Sequence, residues 1–152
     1  MSLNVGDPAP PFDLPATGGR AVSLAALQGQ PVVLYFYPKA DTPGCTKEAQ
    51  AFEVSLPALD GVTVIGVSKD GMPALEKFAA KYALTFPLAS DTGGVIEAYG
   101  AWVEKAMYGK KYMGIDRSTI LIDRTGHVAG IWRKVKVAGH AAEVLAAVKA
   151  LG

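Results

Sequence analysis

The sequence predicts an α/β fold, because its apolar residues follow two different spacings in alternating parts of the chain. Short runs rich in β-branched and aromatic residues, such as residues 31–37 and 62–68, have the length and composition of buried strands. Segments that follow such runs, for example residues 73–82, carry apolar residues three and four positions apart, as amphipathic helices do. Strands that alternate with helices indicate a central sheet covered by helices.

The N-terminal part of the chain is predicted to be extended and to contain a β-hairpin. Residues 12–14 and 21–24 alternate in polarity on either side of a turn at residues 17–19, which includes two adjacent glycines. Ser23 is a candidate N-cap for a one-turn helix that runs through Leu27. We therefore expect a hairpin in front of the central sheet.

The rest of the chain divides into strands and helices without a repeat or a linker. Residues 103–116 mix charged residues with tyrosines, methionines and glycines, and are predicted to form a long surface loop. This loop is either a solvated connection or one rim of a site.

In chain order the other predicted elements are a strand at 31–37, a helix around Cys45 that Pro57 ends near Ser55, a strand at 62–68, a helix at 73–82, an extended piece at 86–89, a helix begun by Ser90, Asp91 or Thr92, a strand at 118–122, its hairpin partner at 127–132 and a helix from about 140. The order βαβ followed by ββα is typical of a thioredoxin-like mixed sheet, here as a single domain over residues 1–152.

Composition limits the kinds of partner. The 152 residues include 15 basic and 14 acidic side chains, a net charge of +1, which offers no electrostatic basis for binding nucleic acid or an anionic membrane. No apolar run reaches the length of a membrane span, and the first residues do not have the pattern of a signal peptide. The single cysteine excludes an internal disulfide and a zinc site built from cysteines. We therefore expect a cytoplasmic protein in a reducing compartment.

That cysteine, Cys45, lies where the strand at 31–37 gives way to a helix. The first N–H groups of a helix have no intrahelical partner and carry partial positive charge, so a thiolate is stabilised there. A lone cysteine is more often a small buried apolar residue than a nucleophile. The flanking prolines, glycine and threonine are poor core material, however, and favour a reactive thiol: Pro38 ends the strand, Pro43 fixes the entry to the helix, and Gly44 lets the main chain come close to the sulfur.

The pattern Pro-x-x-x-Thr-x-x-Cys is filled by Pro38, Thr42 and Cys45. With the run from Tyr35 to Thr46 around it, this segment resembles the peroxiredoxins, and within them the bacterioferritin comigratory protein or peroxiredoxin Q group. The resemblance covers almost the whole chain and implies a thioredoxin-like fold. It also implies a peroxidase that reduces hydrogen peroxide and organic hydroperoxides through a cysteine sulfenic acid, without a cofactor or metal, and as a monomer.

The resemblance makes Cys45 the nucleophile, and the chemistry calls for a cation near it. A thiol with the ordinary pKa of about 8.5 is only about 3% ionised at pH 7, and a helix terminus contributes only about 1 kcal/mol. Arg117 is the candidate, because it precedes the strand at 118–122 and residues 117–123 resemble the segment that brings the active-site arginine in this family. Without that resemblance, an ordinary surface position for Arg117 would be favoured. Thr42 and the Cys45 backbone N–H complete the expected peroxide site, and Glu48 is either an anchor for Arg117 or an exposed helix charge.

The sequence departs from the common pattern of this group in lacking a second, resolving cysteine. Relatives carry it five residues after the first, where this chain has Gln50, or on the next helix, where it has Ala79 and Ala80. A sulfenic acid on Cys45 should then be reduced by an external thiol, which is thioredoxin, glutaredoxin or a low-molecular-weight thiol.

Other activities fit less well. A disulfide exchanger of the Cys-x-x-Cys type is not expected, because position 48 is Glu. A cysteine hydrolase needs a histidine base, and both His127 and His140 are predicted to lie on the surface. A thiol-based redox sensor or binding module with little turnover is the alternative function.

Overall fold

The computed structural model describes residues 3–151, and over this range a seven-stranded sheet and a separate two-stranded sheet form the framework. The strands are β1 (Asp13–Ala16), β2 (Arg20–Ser23), β3 (Val32–Phe36), β4 (Thr63–Ser68), β5 (Leu88–Ser90), β6 (Trp102–Met107), β7 (Lys110–Ile115), β8 (Ser118–Ile122) and β9 (Val128–Trp132). The α-helices are α1 (Pro43–Ser55), α2 (Met72–Lys81), α3 (Val95–Ala98) and α4 (His140–Ala150), with single 3₁₀ turns at Ala25–Leu27 and Leu56–Ala58.

The large sheet is mixed, as predicted. Its order is β2-β1-β5-β4-β3-β8-β9, with β3, β4 and β5 parallel and the remaining pairs antiparallel. The hairpin of β1 and β2 extends one edge, and β8 and β9 form the other. This arrangement confirms the α/β fold with a thioredoxin-like core and an N-terminal hairpin.

Strand β3 lies at the centre and all five of its residues are buried. Alternate side chains face opposite sides of the sheet, because the side-chain period of a strand is two. Leu34 and Phe36 pack into a core with Ile96 and Tyr99, near α3. Tyr35, on the other face, joins a core formed with α1, α2 and α4. Cys45 belongs to this second core, so the face covered by three helices is the one that carries the predicted nucleophile.

The prediction for residues 103–116 was wrong: they form the β6–β7 hairpin and not a loop. Tyr108 and Gly109 are its two turn residues, with φ of 53° and 77°, as a tight hairpin requires. Most residues of both strands are exposed or half-buried, so neither shows the apolar alternation of a strand that packs on a core. The pattern that would have predicted these strands is therefore missing from the sequence.

The other predicted elements are confirmed, with small changes at their ends, but the N-cap of α3 is Gly94 and not Ser90, Asp91 or Thr92. Pro57 lies just beyond α1 in the 3₁₀ turn, which is consistent with a proline stopping the helix. Helix α3 has only four residues, and the Asp91 carboxylate accepts from the backbone N–H groups of Val95 and Ile96 at its start. Within residues 3–151, none of the helices combines the length and the apolar character that crossing a bilayer requires.

Candidate active site

Cys45 lies in the first turn of α1, as predicted. Thr42 is the N-cap residue with extended backbone angles, and Pro43 is the first helical residue. The Cys45 side chain is only 2% exposed. It faces the core along with Ala49 and Phe52, which lie four and seven positions further along the helix. The thiol is therefore held against the sheet at the end of α1 where unpaired N–H groups concentrate.

The loop that leads into α1 is fixed at two points. The Ala40 N–H donates to the Asp70 carboxylate at 2.7 Å. Asp41 adopts a left-handed conformation with φ of 59°, and its carboxylate accepts from Tyr82 Oη at 2.7 Å and from Lys81 Nζ at 3.0 Å. The first contact attaches the entry to α1 to the segment between β4 and α2, and the Asp41 contacts attach it to the C-terminal end of α2. Sequence reasoning missed them, since nothing in the local pattern links residues 30 to 41 positions apart.

Arg117 is in direct contact with the Cys45 sulfur. Its Nη2 donates to Cys45 Sγ at 3.2 Å, and its Nη1 donates to Glu48 Oε1 at 2.6 Å. The sheet explains how residues 72 positions apart meet: Phe36 at the end of β3 pairs with Ser118 at the beginning of β8. The chain positions directly next to this pair carry Tyr37 and Arg117. The structure thus brings the predicted cation into contact with the predicted nucleophile.

Glu48 anchors Arg117 and is not an exposed helix charge. Its side chain is 1% exposed, and its second carboxylate oxygen, Oε2, is buried without a hydrogen-bond partner. Burial raises the pKa of the Glu48 carboxyl to about 7, although Arg117 acts in the opposite direction. Burial lowers the pKa of Arg117, but the charges of Glu48 and Cys45 and the hydrogen bonds to them together outweigh it, so the net direction is upward. The guanidinium is therefore charged and held in place beside the sulfur.

The backbone of Arg117 is also secured on both sides. Its carbonyl accepts from the Val135 N–H at 3.0 Å, and the preceding residue, Asp116, donates its N–H to the Ala101 carbonyl at 2.7 Å. Arg117 thus follows the base of the β6–β7 hairpin directly. The Arg117 side chain is 17% exposed, so it is largely but not completely shielded from solvent.

The remaining predicted site residues take different positions. Gly44 packs closely against the guanidinium: a Cβ at this position would lie 3.2 Å from Arg117 Nη2, so a larger residue would require the guanidinium to shift by a few tenths of an ångström. Pro38 is exposed at the bend that follows β3. The Thr42 hydroxyl donates to the Lys39 carbonyl at 2.8 Å. Its proton is therefore engaged within the loop, and its lone pairs remain as acceptors.

One expectation about the histidines was wrong. His127 is exposed as predicted, but His140 is 4% exposed, and its Nε2 lies 2.7 Å from the hydroxyl of Thr119 in β8. The rings of Phe52 and Trp132 each pack nearly perpendicular to the His140 ring, with centroids 6.0 Å apart. Burial lowers the pKa of His140, which favours the neutral ring. The first residue of a helix is usually solvated, and here the C-terminal segment folds it inward onto the sheet instead.

Comparison with known proteins now identifies the family. The chain matches the AhpC/TSA family over residues 5–131. It belongs to that family. A putative peroxiredoxin Bcp from Coxiella burnetii is 51% identical over 95% of this chain and 98% of its own length. The peroxiredoxin Bcp of Bacillus subtilis is 44% identical over 98% of this chain and 97% of its own length.

Solved structures agree with the family assignment. The bacterioferritin comigratory protein of Xanthomonas campestris, described for its alkyl peroxide reduction activity, is 46% identical and superposes with a TM-score of 0.87 over 91% of this chain and 90% of its own. A cysteine-to-serine mutant of Xylella fastidiosa PrxQ is 39% identical with a TM-score of 0.91, over 99% of this chain and 98% of its own. The chain is thus a peroxiredoxin of the Bcp and PrxQ group, a thiol-dependent peroxidase with one cysteine.

Proposed function

We propose that Cys45 is the residue that attacks the peroxide and that Arg117 and Thr42 hold the peroxide in place. The contact that supports this most directly is the 3.2 Å hydrogen bond from Arg117 Nη2 to Cys45 Sγ. A guanidinium remains charged at any physiological pH and offers several donors in a fixed plane. It can therefore stabilise the thiolate before the reaction and the departing oxygen during it.

In the oxidation step the Cys45 thiolate attacks the terminal oxygen of a hydroperoxide. An S–O bond forms as the O–O bond breaks, and the leaving oxygen takes a proton and departs as water or an alcohol. The Thr42 hydroxyl accepts from the O–H of the incoming peroxide, because its own proton is given to the Lys39 carbonyl. The Cys45 backbone N–H, at the start of α1, is a further donor to the peroxide.

Both hydrogen peroxide and organic hydroperoxides are proposed substrates. The similar Xanthomonas campestris protein is described for alkyl peroxide reduction, which supports the second class. Cysteine sulfenic acid on Cys45 is then reduced by an external thiol, since the chain has no second cysteine. We further propose that the protein works as a cytoplasmic monomer, which light scattering on a sizing column would test.

The replacement Cys45→Ser tests the nucleophile. We expect peroxide consumption to fall to the background rate of the thiol alone, because a hydroxyl at neutral pH is not ionised and cannot replace the thiolate. The assay follows loss of hydrogen peroxide with dithiothreitol as reductant, and circular dichroism checks that the variant folds. A variant that keeps the wild-type rate would contradict the role of Cys45.

Mass spectrometry tests the one-cysteine cycle. In peroxide without a reductant we expect one oxygen to be added to the Cys45 peptide, then two or three as the sulfenic acid is oxidised further. Any dimer should be linked through Cys45 and should disappear on reduction. Absence of both the added oxygen and the dimer would contradict the cycle. Slow turnover with every thiol, despite rapid oxidation, would favour a redox sensor.

A further inference from the structure

A groove beside the active site is lined mainly by polar and charged side chains, and of these the oxidation step uses only Thr42. It has a volume of about 530 Å³, within the range of about 300–1,000 Å³ typical of small-molecule sites. It lies between the first two turns of α1 and the C-terminal end of α2. Its lining comprises Asp41, Thr42, Pro43, Thr46, Lys47, Gln50, Lys81 and Tyr82.

One wall of the groove is a single face of α1. Pro43, Thr46, Lys47 and Gln50 are spaced by three, one and three positions, so they share a side of the helix. Cys45 occupies the neighbouring, buried face. This wall therefore presents an ammonium group, an amide and a hydroxyl to the groove, directly beside the turn that holds the thiol.

The opposite wall comes from α2. Lys81 and Tyr82 both point to the Asp41 carboxylate, at 3.0 Å and 2.7 Å. With Lys47, the groove contains two ammonium groups and one carboxylate, a net positive charge. Lys81 is already paired with Asp41, so Lys47 is the lysine of the groove that favours a carboxylate on a ligand.

The groove also lies where a reductant must arrive. Thr42 and Pro43 belong both to the groove and to the entry of the helix turn that carries Cys45. The side chain of Thr42 makes no capping hydrogen bond to the N–H groups of α1, and its hydroxyl donates to the Lys39 carbonyl. An uncapped helix end opens more easily than a capped one, so the first turn is able to expose the sulfur, which is 2% exposed in the closed form.

We propose that this groove binds a low-molecular-weight thiol that carries carboxylate groups and presents its sulfur to oxidised Cys45. The proposal rests on the peroxidase function above and selects among the reductants left open there. The bound thiol attacks the sulfenic sulfur, an S–S bond forms, and the hydroxyl leaves with a proton as water. A second molecule of the thiol then attacks the sulfur of the first thiol in the mixed disulfide. This step releases the Cys45 thiolate and the disulfide of the small thiol.

Charge reversal in the groove tests the proposal. The kcat/KM for the thiol would be measured with glutathione (which carries two carboxylates), with cationic cysteamine and with neutral dithiothreitol. The proteins are wild type, Lys47→Glu and a matched control, Lys149→Glu, whose lysine is exposed on α4 outside the groove lining. Each thiol is compared with itself across the three proteins, so its intrinsic reactivity cancels.

We expect Lys47→Glu to lower kcat/KM for glutathione about tenfold relative to that for dithiothreitol, and to raise that for cysteamine. Added salt should shrink both changes. Lys149→Glu should leave all three values as in wild type. Mass spectrometry should show the Cys45–glutathione mixed disulfide forming more slowly in Lys47→Glu.

Three results would contradict the proposal that the groove binds the thiol, while leaving the proposed peroxidase function intact. They are equal effects of Lys47→Glu on glutathione and cysteamine, an equal loss in Lys149→Glu, and turnover with dithiothreitol or thioredoxin but none with glutathione. If the wild type is not oxidised by peroxide at all, the proposed function fails first, and the groove proposal fails with it.

Discussion

Two buried polar clusters lie side by side at the beginning of β8, and they are built in opposite ways. The first joins Arg117 to Glu48 and Cys45 and is ionic. The second joins Thr119, two residues further along, to His140 and is neutral. Both pack against the helix-covered face of the sheet, so their difference is one of chemistry and not of location.

The ionic cluster is incompletely satisfied, whereas the neutral one is paired. Glu48 keeps one buried oxygen without a partner, while the Thr119 hydroxyl and the His140 ring meet at 2.7 Å. A buried ion pair is weak support for stability, because removing two charges from water costs several kcal/mol per ion. The contrast suggests that the first cluster is kept for its action on Cys45 and the second for holding α4 onto the sheet.

Among the variants of the two clusters, Arg117→Ala should have the largest effect on Cys45 oxidation. A small effect would contradict the view that the ionic cluster is kept for its action on Cys45. We expect the second-order rate of Cys45 oxidation to fall about 10²- to 10³-fold, as for loss of one preorganised donor to a developing anion. The fraction of Cys45 present as thiolate at pH 7 should also fall. Stopped-flow tryptophan fluorescence gives the rate, and thiolate absorbance against pH gives the ionised fraction.

Arg117→Lys is the matched control for this experiment. It keeps the charge but loses the planar fork that reaches Glu48 and the sulfur together. We expect it to restore most of the thiolate fraction but only part of the rate. An unchanged titration curve together with an unchanged rate in Arg117→Ala would remove Arg117 from the mechanism.

The substitution Glu48→Gln tests the ionic cluster through the pH dependence of the free energy of unfolding. Burial raises the pKa of the Glu48 carboxyl from 4.5 to about 7, so the folded protein binds this proton more tightly than the unfolded chain does. The stability that this group contributes is therefore present below about pH 4.5 and is lost as the pH rises to about 7. The loss amounts to about 3 kcal/mol.

Since Gln cannot ionise, the free energy of unfolding of Glu48→Gln relative to wild type should increase by that amount between pH 4.5 and 8. Urea unfolding across this pH range measures it. Glu104→Gln, at an exposed position in the β6–β7 hairpin, is the control and should show no such trend. A difference between Glu48→Gln and wild type that does not change with pH would mean that Glu48 ionises as an ordinary carboxyl.

The sequence predicted these two clusters unequally, for physical reasons. The apolar run at 32–36 predicts a central strand because both of its faces are buried. Helical spacing also predicts that Glu48 is buried, because it lies three positions after Cys45 and four before Phe52 and so shares their buried face. The contact of Arg117 with Cys45, however, depends on the pairing of β3 with β8, which local spacing does not determine.

The elements that sequence reasoning missed are those whose environment comes from distant parts of the chain. His140 begins a helix and looks solvated in sequence, but the segment after β9 returns it to Thr119. The β6–β7 hairpin packs few of its residues on the core, so it lacks the alternating pattern by which strands are recognised.

The smallest expected effect is that of Thr119→Val, which tests the neutral cluster alone. Valine has the shape of threonine, so the change removes the hydroxyl and leaves His140 Nε2 buried without its partner. We expect the free energy of unfolding to fall by about 1–3 kcal/mol and the rate of Cys45 oxidation to stay within about twofold of wild type. Replacing both partners, as Thr119→Val with His140→Phe, should recover much of the lost stability, because no buried polar atom is then left unpaired. Urea unfolding of the two single variants and the double variant forms a complete cycle. A fall in the oxidation rate as large as that of Arg117→Ala would show that the neutral cluster serves the chemistry too, and the distinction between the clusters would be lost.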